Sequence, residues 1–549
     1  MPQRRTPRTR PAASAPRRPR GGAPKRSGGA SISKPPSHTR ASSSGKARAA
    51  HQRAAASRGP ASRAAASHGS APRDAAKGNT TKVRVRRTPP APTPRAQAEE
   101  GREITLPGGH EVLLTRRHFL YGVAGIATLA LMGTGAAWAS GQTKGDDTLA
   151  TLSVPKEVVT SSNDLEEIED SSTVMAVAST IKLPFGSLVW SCDDAVAACL
   201  LPTEVAKPLA QIGLIFPEAG TYLTVLEHAV GETEGFEIYD VRANSAGVIW
   251  TEADIMDGVW RVYGATLSGE TLGEPQLLDE GDSDWEMPTL ACAANYGYWQ
   301  RLPQLDGNAR VEDSLLKRAA FGTSNAEVVY ASQGRMACAP TSCGDAIIAV
   351  PRARTSGTYY QLTRIDGASG AVTDAMVLPA SMKPLECGYG KTGFNFAFDG
   401  IYNYGDGIAN LGTYMPLAPF EHPALDGGEG VESGGNDGEV NRFLPVAQAN
   451  LGTEAYSDQP WFHYVRNPLS APAWCGDWVL MRGQSGICAV DLAGKRYTSL
   501  PLENGASSYG EFLASTNMGA RAITYSNIDH TSLEGDQTKL CLVRVWQPV

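Results

Sequence analysis

Three carboxylates fall within six residues at Glu252, Asp254 and Asp257. Hard oxygen ligands at such spacing suit Ca²⁺, and they equally suit a solvated turn. No other cofactor is expected. Cys338 and Cys343 stand close enough in the chain for a disulfide to close a tight loop. The nine cysteines all lie beyond residue 140. An odd number leaves at least one thiol unpaired, and buried free Cys acting as a small apolar residue is the plainer reading for most. There is no CxxC pair, which argues against a redox motif or a zinc knuckle. His228, His422, His463 and His530 are too far apart for a local HxxxH pair. A GxSxG elbow and a phosphate-cradling GxxxxGK[ST] loop are also missing from the sequence. Any catalytic group must therefore be assembled from distant residues by the fold.

The elements that would do the assembling repeat. Between residues 173 and 549, a short strand, a tight polar turn and a hydrophobic strand recur seven times. The second strand of each copy begins near Val196, Val248, Tyr296, Ile347, Phe394, Trp478 and Ala522, at separations of 52, 48, 51, 47, 84 and 44. Five of the six intervals suit four-stranded propeller blades. The long one contains an acidic, Gly-rich stretch, Leu425 to Val440, within an insertion near 417–457. Further strand–turn–strand segments follow each copy, as at Trp260–Leu267 and Ile487–Leu492. The fold class expected is all-β, a seven-bladed β-propeller, with six or eight blades as alternatives. Only one strand remains after the seventh copy, so the closing blade needs a strand from residues 174–183. Trp250, Trp299 and Trp478 sit in second strands, where packing between blades accounts for them better than ligand stacking.

Charge divides the chain. Met1 to His118 carries 26 Lys+Arg against 5 Asp+Glu, and the remainder 24 against 52, so +21 and −28 sum to −7. Residues 1–100 contain no Leu, Phe, Tyr, Trp or Cys. Such a composition cannot bury enough apolar surface to offset chain entropy, so 1–112 reads as a disordered basic tail. Phe119 to Ala139 is an uncharged run of 21 residues. It is long enough to cross a membrane as one transmembrane or signal helix, within a segment 113–140. The basic flank precedes it, which places the N-terminus in the cytoplasm and the C-terminal domain outside. Residues 141–172 read as an acidic linker, and 173–549 as the propeller.

Arg116, Arg117, Phe119 and Leu120, with the weakly apolar run that follows, resemble a twin-arginine export signal. That family places Lys after Phe-Leu, where this chain has Tyr121. Ala137 to Ala139 fits the small-x-small pattern read by signal peptidase, with cleavage after Ala139. The resemblance implies the twin-arginine export machinery and the membrane as partners and a domain that folds before crossing. A retained anchor and a secreted product both remain open. The blade turns Val189–Asp194 and Val490–Lys495 resemble those of Tol-system propellers and the propeller half of prolyl-peptidase-like proteins. No peptidase domain is expected after the last repeat.

The leading expectation is a membrane-anchored or exported cell-envelope binding or scaffold module for a protein, peptide or polymer, rather than an enzyme. The alternative is a hydrolase or lyase with its site at the channel mouth. The net −28 beyond His118 argues against nucleic acid as a partner of the propeller. The basic tail could touch anionic lipid or nucleic acid by charge alone.

Overall fold

The computed structural model describes residues 102–105, 111–114, 148–202, 211–305, 308–353, 355–398, 407–408, 411–425, 444–465, 470–483, 486–506, 510–516 and 518–549. The Arg pair, the apolar run and Ala139 lie outside them, as does most of the acidic insertion. Among the described residues no helix is long and apolar enough to cross a membrane.

The protein is an all-β propeller. Six sheets each take four strands from one stretch of chain, in chain order. The first pairs Leu188–Ser191, Ala197–Leu201, Gln211–Phe216 and Thr221–Leu226. In the second, Glu237–Asn244, Gly247–Asp254 and Val259–Ser268 are followed by Gln276–Gly281. Thr289–Ala293, Tyr296–Arg301, Ser314–Ala320 and Ala326–Ser332 make the third. Thr341–Cys343, Ala346–Ala349, Gln361–Asp366 and Val372–Val377 make the fourth. The fifth holds Glu386–Gly390, Gly393–Phe398, Gly412–Pro416 and Trp461–Tyr464. The sixth holds Ala473–Cys475, Trp478–Arg482, Ile487–Asp491 and Arg496–Ser499. The closing sheet is composite: Glu511–Leu513, Ala522–Thr531 and Gln537–Pro548 are completed by Met175–Leu183 from the other end of the domain. That last pairing is antiparallel and runs from Cys541 opposite Leu183 to Pro548 opposite Met175.

Successive residues of a strand face opposite sides of its sheet, and here both sides are covered. Ala197, Cys199 and Leu201 pack against Ile523, Val543 and Val545 of the closing sheet. Val196, Ala198 and Leu200 pack against Val241, Val248 and Trp250 of the second. The same division holds round the ring, with one apolar cluster at each junction. This is why second strands read as unbroken apolar runs, whereas the outermost strand of the first sheet, Thr221–Leu226, is largely exposed. Trp250 and Trp299 are fully buried between sheets, as packing predicts.

Three segments depart from expectation. Residues expected to form a linker instead dock on the propeller. Leu152 and Val154 are buried, Val159–Ser161 adds in parallel to the fifth sheet, and Glu166–Glu167 adds to the sixth. These strands use the outer edges of their sheets, where unpaired backbone groups attract any available strand. Within the expected insertion, Val446–Ser457 forms a helix whose Thr453 hydroxyl accepts from Val377 N at 3.0 Å. Arg102–Thr105 pairs with Glu111–Leu114 in a stretch read as tail and signal.

Trp546 lies in the closing sheet at 2 % exposure and packs against the sixth. If ring closure is integral to stability, Trp546→Ala will cost about 3–5 kcal/mol, the same as Trp250→Ala within a contiguous sheet. Urea unfolding measures both. A cost for Trp546→Ala below about 1 kcal/mol would make the closing sheet an accessory.

Candidate functional site

The acidic trio does not form a cation cage. Glu252 is fully buried, and its carboxylate accepts from Val230 N at 2.7 Å, Gly231 N at 2.9 Å and Trp250 Nε1 at 2.9 Å. Asp254 Oδ1 accepts from Met256 N at 2.8 Å and Asp257 N at 3.2 Å, closing the hairpin turn. Backbone donors that would otherwise be orphaned take these oxygens. Among the described residues no group of three His, Cys, Asp or Glu side chains could hold a metal ion.

Asp254 and Asp257 instead line an open groove of about 590 Å³ between the second and third sheets. Its walls are Phe236, Trp260 and Trp285. Arg261 stacks over Phe236 at 4.2 Å and pairs with Glu234 at 2.8 Å, which holds the Glu234 carboxyl below its usual range. Arg301 stacks over Trp285 at 4.2 Å. Five carboxylates, Glu234, Asp254, Asp257, Glu280 and Asp282, line the same groove as these two guanidiniums. Such a surface favours a cationic or donor-rich ligand that can lie on an aromatic face.

Cys338 and Cys343 do not form a disulfide, and all nine cysteines are buried thiols. The extended strand Thr341–Cys343 carries the second thiol toward the fifth sheet, where Cys343 Sγ donates to Tyr389 O at 2.6 Å. Burial pushes the Cys343 thiol up to about 12.

Two clusters that local motifs do not reveal are assembled by the fold. Asp374, on the outermost strand of the fourth sheet, is 2 % exposed. Its Oδ2 accepts from Tyr389 OH at 2.9 Å and Tyr456 OH at 2.6 Å, and Oδ1 accepts from Ala375 N at 2.8 Å. His422 Nδ1 lies 3.0 Å from Oδ2, off the straight hydrogen-bond direction, with the ring half-buried. Burial and the Asp374 charge push both tyrosines far above their usual values. The four residues come from two sheets, a loop and a helix, so nothing in their spacing announces them. An imidazole backed by a buried carboxylate is a unit able to move a proton.

The second cluster joins the fifth, sixth and closing sheets where innermost strands begin. Arg544 pairs with buried Glu511, and Thr524 Oγ1 donates to the same carboxylate. Arg482 Nε donates to Glu511 O at 2.6 Å, and burial lowers the Arg482 guanidinium from its usual value. Glu386 starts the neighbouring strand, and burial lifts its carboxyl to about 8 against the pull of Arg482. Glu386 Oε2, Arg482 Nη1 and both polar atoms of Asn395 find no partner among the described residues.

No family model matches this chain, and no curated protein matches it. Solved structures do. One is a prolyl endopeptidase at 11 % identity and TM-score 0.36, over 81 % of this chain and 56 % of that one. An oligogalacturonate lyase from Vibrio parahaemolyticus is similar at 11 % identity and TM-score 0.37, over 73 % and 98 % of the two chains. A puromycin hydrolase matches at 10 % identity and TM-score 0.32, over 65 % and 50 %. The chain thus spans about half the length of the endopeptidase and of the hydrolase.

Glu386 carries a pH signature. Between about 4.5 and about 8 the unfolded chain has lost a proton that the folded chain keeps. Its contribution is complete below 4.5, declines as pH rises through that window, and is gone above about 8. Thermal melts across pH 4–9 should show Glu386→Gln flattening this decline and gaining most over wild type near pH 8. An unchanged pH profile would place Glu386 in water.

Proposed function

We propose that this chain is an exported cell-envelope propeller that acts as a binding module and takes its ligand in the groove beside Asp254 and Asp257. The groove's composition carries the reading: aromatic walls stacked by two arginines, with five carboxylates around them. A cationic peptide or amine-bearing polymer matches both the charge and the aromatic faces. We also take the composite closing sheet as a blade equal to the six contiguous ones, which makes seven. Apolar clusters at every junction, including closing-to-first, support that count.

The route and topology are part of the same proposal. Arg116, Arg117, Phe119 and Leu120 would direct twin-arginine export, and the run to Ala139 would leave the product membrane-anchored with the propeller outside. A second reading, a hydrolase or lyase, is favoured by His422 against buried Asp374. It requires His422→Gln to abolish turnover of a peptide or polysaccharide substrate while leaving the melting temperature unchanged.

Two measurements test the main reading. Octalysine should bind the purified chain saturably by calorimetry, weaken steeply with salt, and lose at least tenfold in affinity in Asp257→Asn/Glu280→Gln; octaglutamate should not bind. Octalysine binding that ignores both substitutions would move the site elsewhere. Paired Arg116→Lys and Arg117→Lys should leave the protein in the cytoplasm, and normal export would defeat the twin-arginine route.

A further inference from the structure

The groove beside Asp254 and Asp257 holds two donors that the described residues leave unanswered. Trp260 is paired with Gly281 across the second sheet, and a Cβ at Gly281 would clash with its ring, so the bare glycine lets the indole lie at the groove. Trp260 is 3 % exposed, and its Nε1 has no hydrogen-bond partner among the described residues. Arg301 Nε is buried and unanswered in the same way. The two stand close together: the Arg301 guanidinium lies 5.9 Å from the Trp260 ring and 4.2 Å from the Trp285 ring. A buried N–H without an acceptor is destabilising, and a ligand oxygen that answers it recovers that cost.

Negative charge is in surplus around them. Arg261 is taken by Glu234 at 2.8 Å, and Arg301 Nη1 lies 3.7 Å from Asp279. Asp254, Asp257, Glu280 and Asp282 line the groove with no cation paired to them among the described residues. Asp257, Glu280 and Asp282 are exposed. Glu280 and Asp282 flank Gly281, so carboxylates stand on either side of the residue paired with Trp260. These features separate two ligand chemistries that charge alone leaves open. A lysine side chain brings donors only and leaves Trp260 Nε1 and Arg301 Nε unanswered. A peptide carbonyl accepts, but it comes once per residue and carries no donor of its own. A sugar hydroxyl donates and accepts at once, which suits a corner where unanswered N–H groups and unpaired carboxylates stand side by side. A pyranose also has an apolar face to lay on half-buried Trp285, and an amine on the ring supplies the charge.

We infer that the groove takes an oligosaccharide of unacetylated amino sugars. Ring hydroxyls accept from Trp260 Nε1 and Arg301 Nε and donate to the carboxylates, while the ammonium groups meet Asp257 and Glu280. The inference rests on the groove being the ligand site of the propeller, as proposed above.

The test titrates the purified full chain, at pH 6 and fixed salt, with three probes: the β-1,4-linked glucosamine hexamer, the same hexamer N-acetylated, and octalysine. The acetylated hexamer keeps the rings and hydroxyls without the charge, and octalysine keeps the charge without the rings. The glucosamine hexamer should bind at least tenfold more tightly than either. Trp260→Phe keeps an aromatic ring and removes the N–H, and it should weaken that hexamer at least threefold. If this variant fails to fold, Arg301→Lys, which removes the Nε–H and keeps the charge, reads the same loss. Octalysine binding as tightly as the glucosamine hexamer, and weakened by Asp257→Asn/Glu280→Gln, would overturn the amino sugar and leave the groove as a site for cationic peptide. An acetylated hexamer that binds equally well, or a glucosamine affinity that neither Trp260→Phe nor Arg301→Lys changes, would overturn it too. If none of the three probes binds, the groove itself falls as the ligand site, and the inference with it.

Discussion

Every sheet of this propeller is covered on both faces, and that double burial is the constraint on which the rest depends. A four-stranded sheet with Ala197, Cys199 and Leu201 on one side and Val196, Ala198 and Leu200 on the other has no face it can leave to water. Stacking against one neighbour solves half the problem. Only a closed ring solves it for every sheet, and the closing sheet must therefore exist in full. Its fourth strand, Met175–Leu183, comes from the far end of the domain. The junction clusters are then links of one closed chain of contacts, one to each pair of neighbouring sheets.

That constraint also explains where chemistry can sit. Between sheets there is little room for a polar group unless it is answered at once, and the fold answers it with unusual partners. Asp374 is met by two tyrosines and a backbone N–H, and Glu252 by two backbone amides and an indole. These carboxylates hold elements together. Groups with freedom to act lie at edges and strand ends: the His422 ring, the Glu386 carboxyl, and the groove where Arg261 and Arg301 lie over aromatic rings.

The ring was legible in the sequence because double burial leaves a strong mark: short unbroken apolar strands separated by Gly, Asp and Asn turns. The need for a strand near 174–183 followed from counting strands, and Met175–Leu183 fills it. The edge additions at Val159–Ser161 and Glu166–Glu167 left no such mark, because a short strand that pairs at an edge needs no apolar pattern. The helix Val446–Ser457 was hidden behind an acidic, Gly-rich neighbour. At the candidate sites, the trio at 252–257 was visible as spacing, but spacing could not show that Glu252 is spent on Val230 and Gly231. Proximity along the chain suggests a bond between Cys338 and Cys343, whereas the strand Thr341–Cys343 turns the second thiol to Tyr389 O of the next sheet. Asp374, Tyr389, His422 and Tyr456 meet only through tertiary packing.

The composite sheet also sets a clock on biosynthesis. Gln537–Pro548 is the seat for Met175–Leu183, so an early-made strand must wait for one made more than 350 positions later. Until then the first sheet's outer flank and the sixth sheet's far side are bare, and the nascent domain depends on whatever shields them. Circularisation is thus a single late event in the making of the ring, and a molecule lacking Gln537–Pro548 would be left as an open arc.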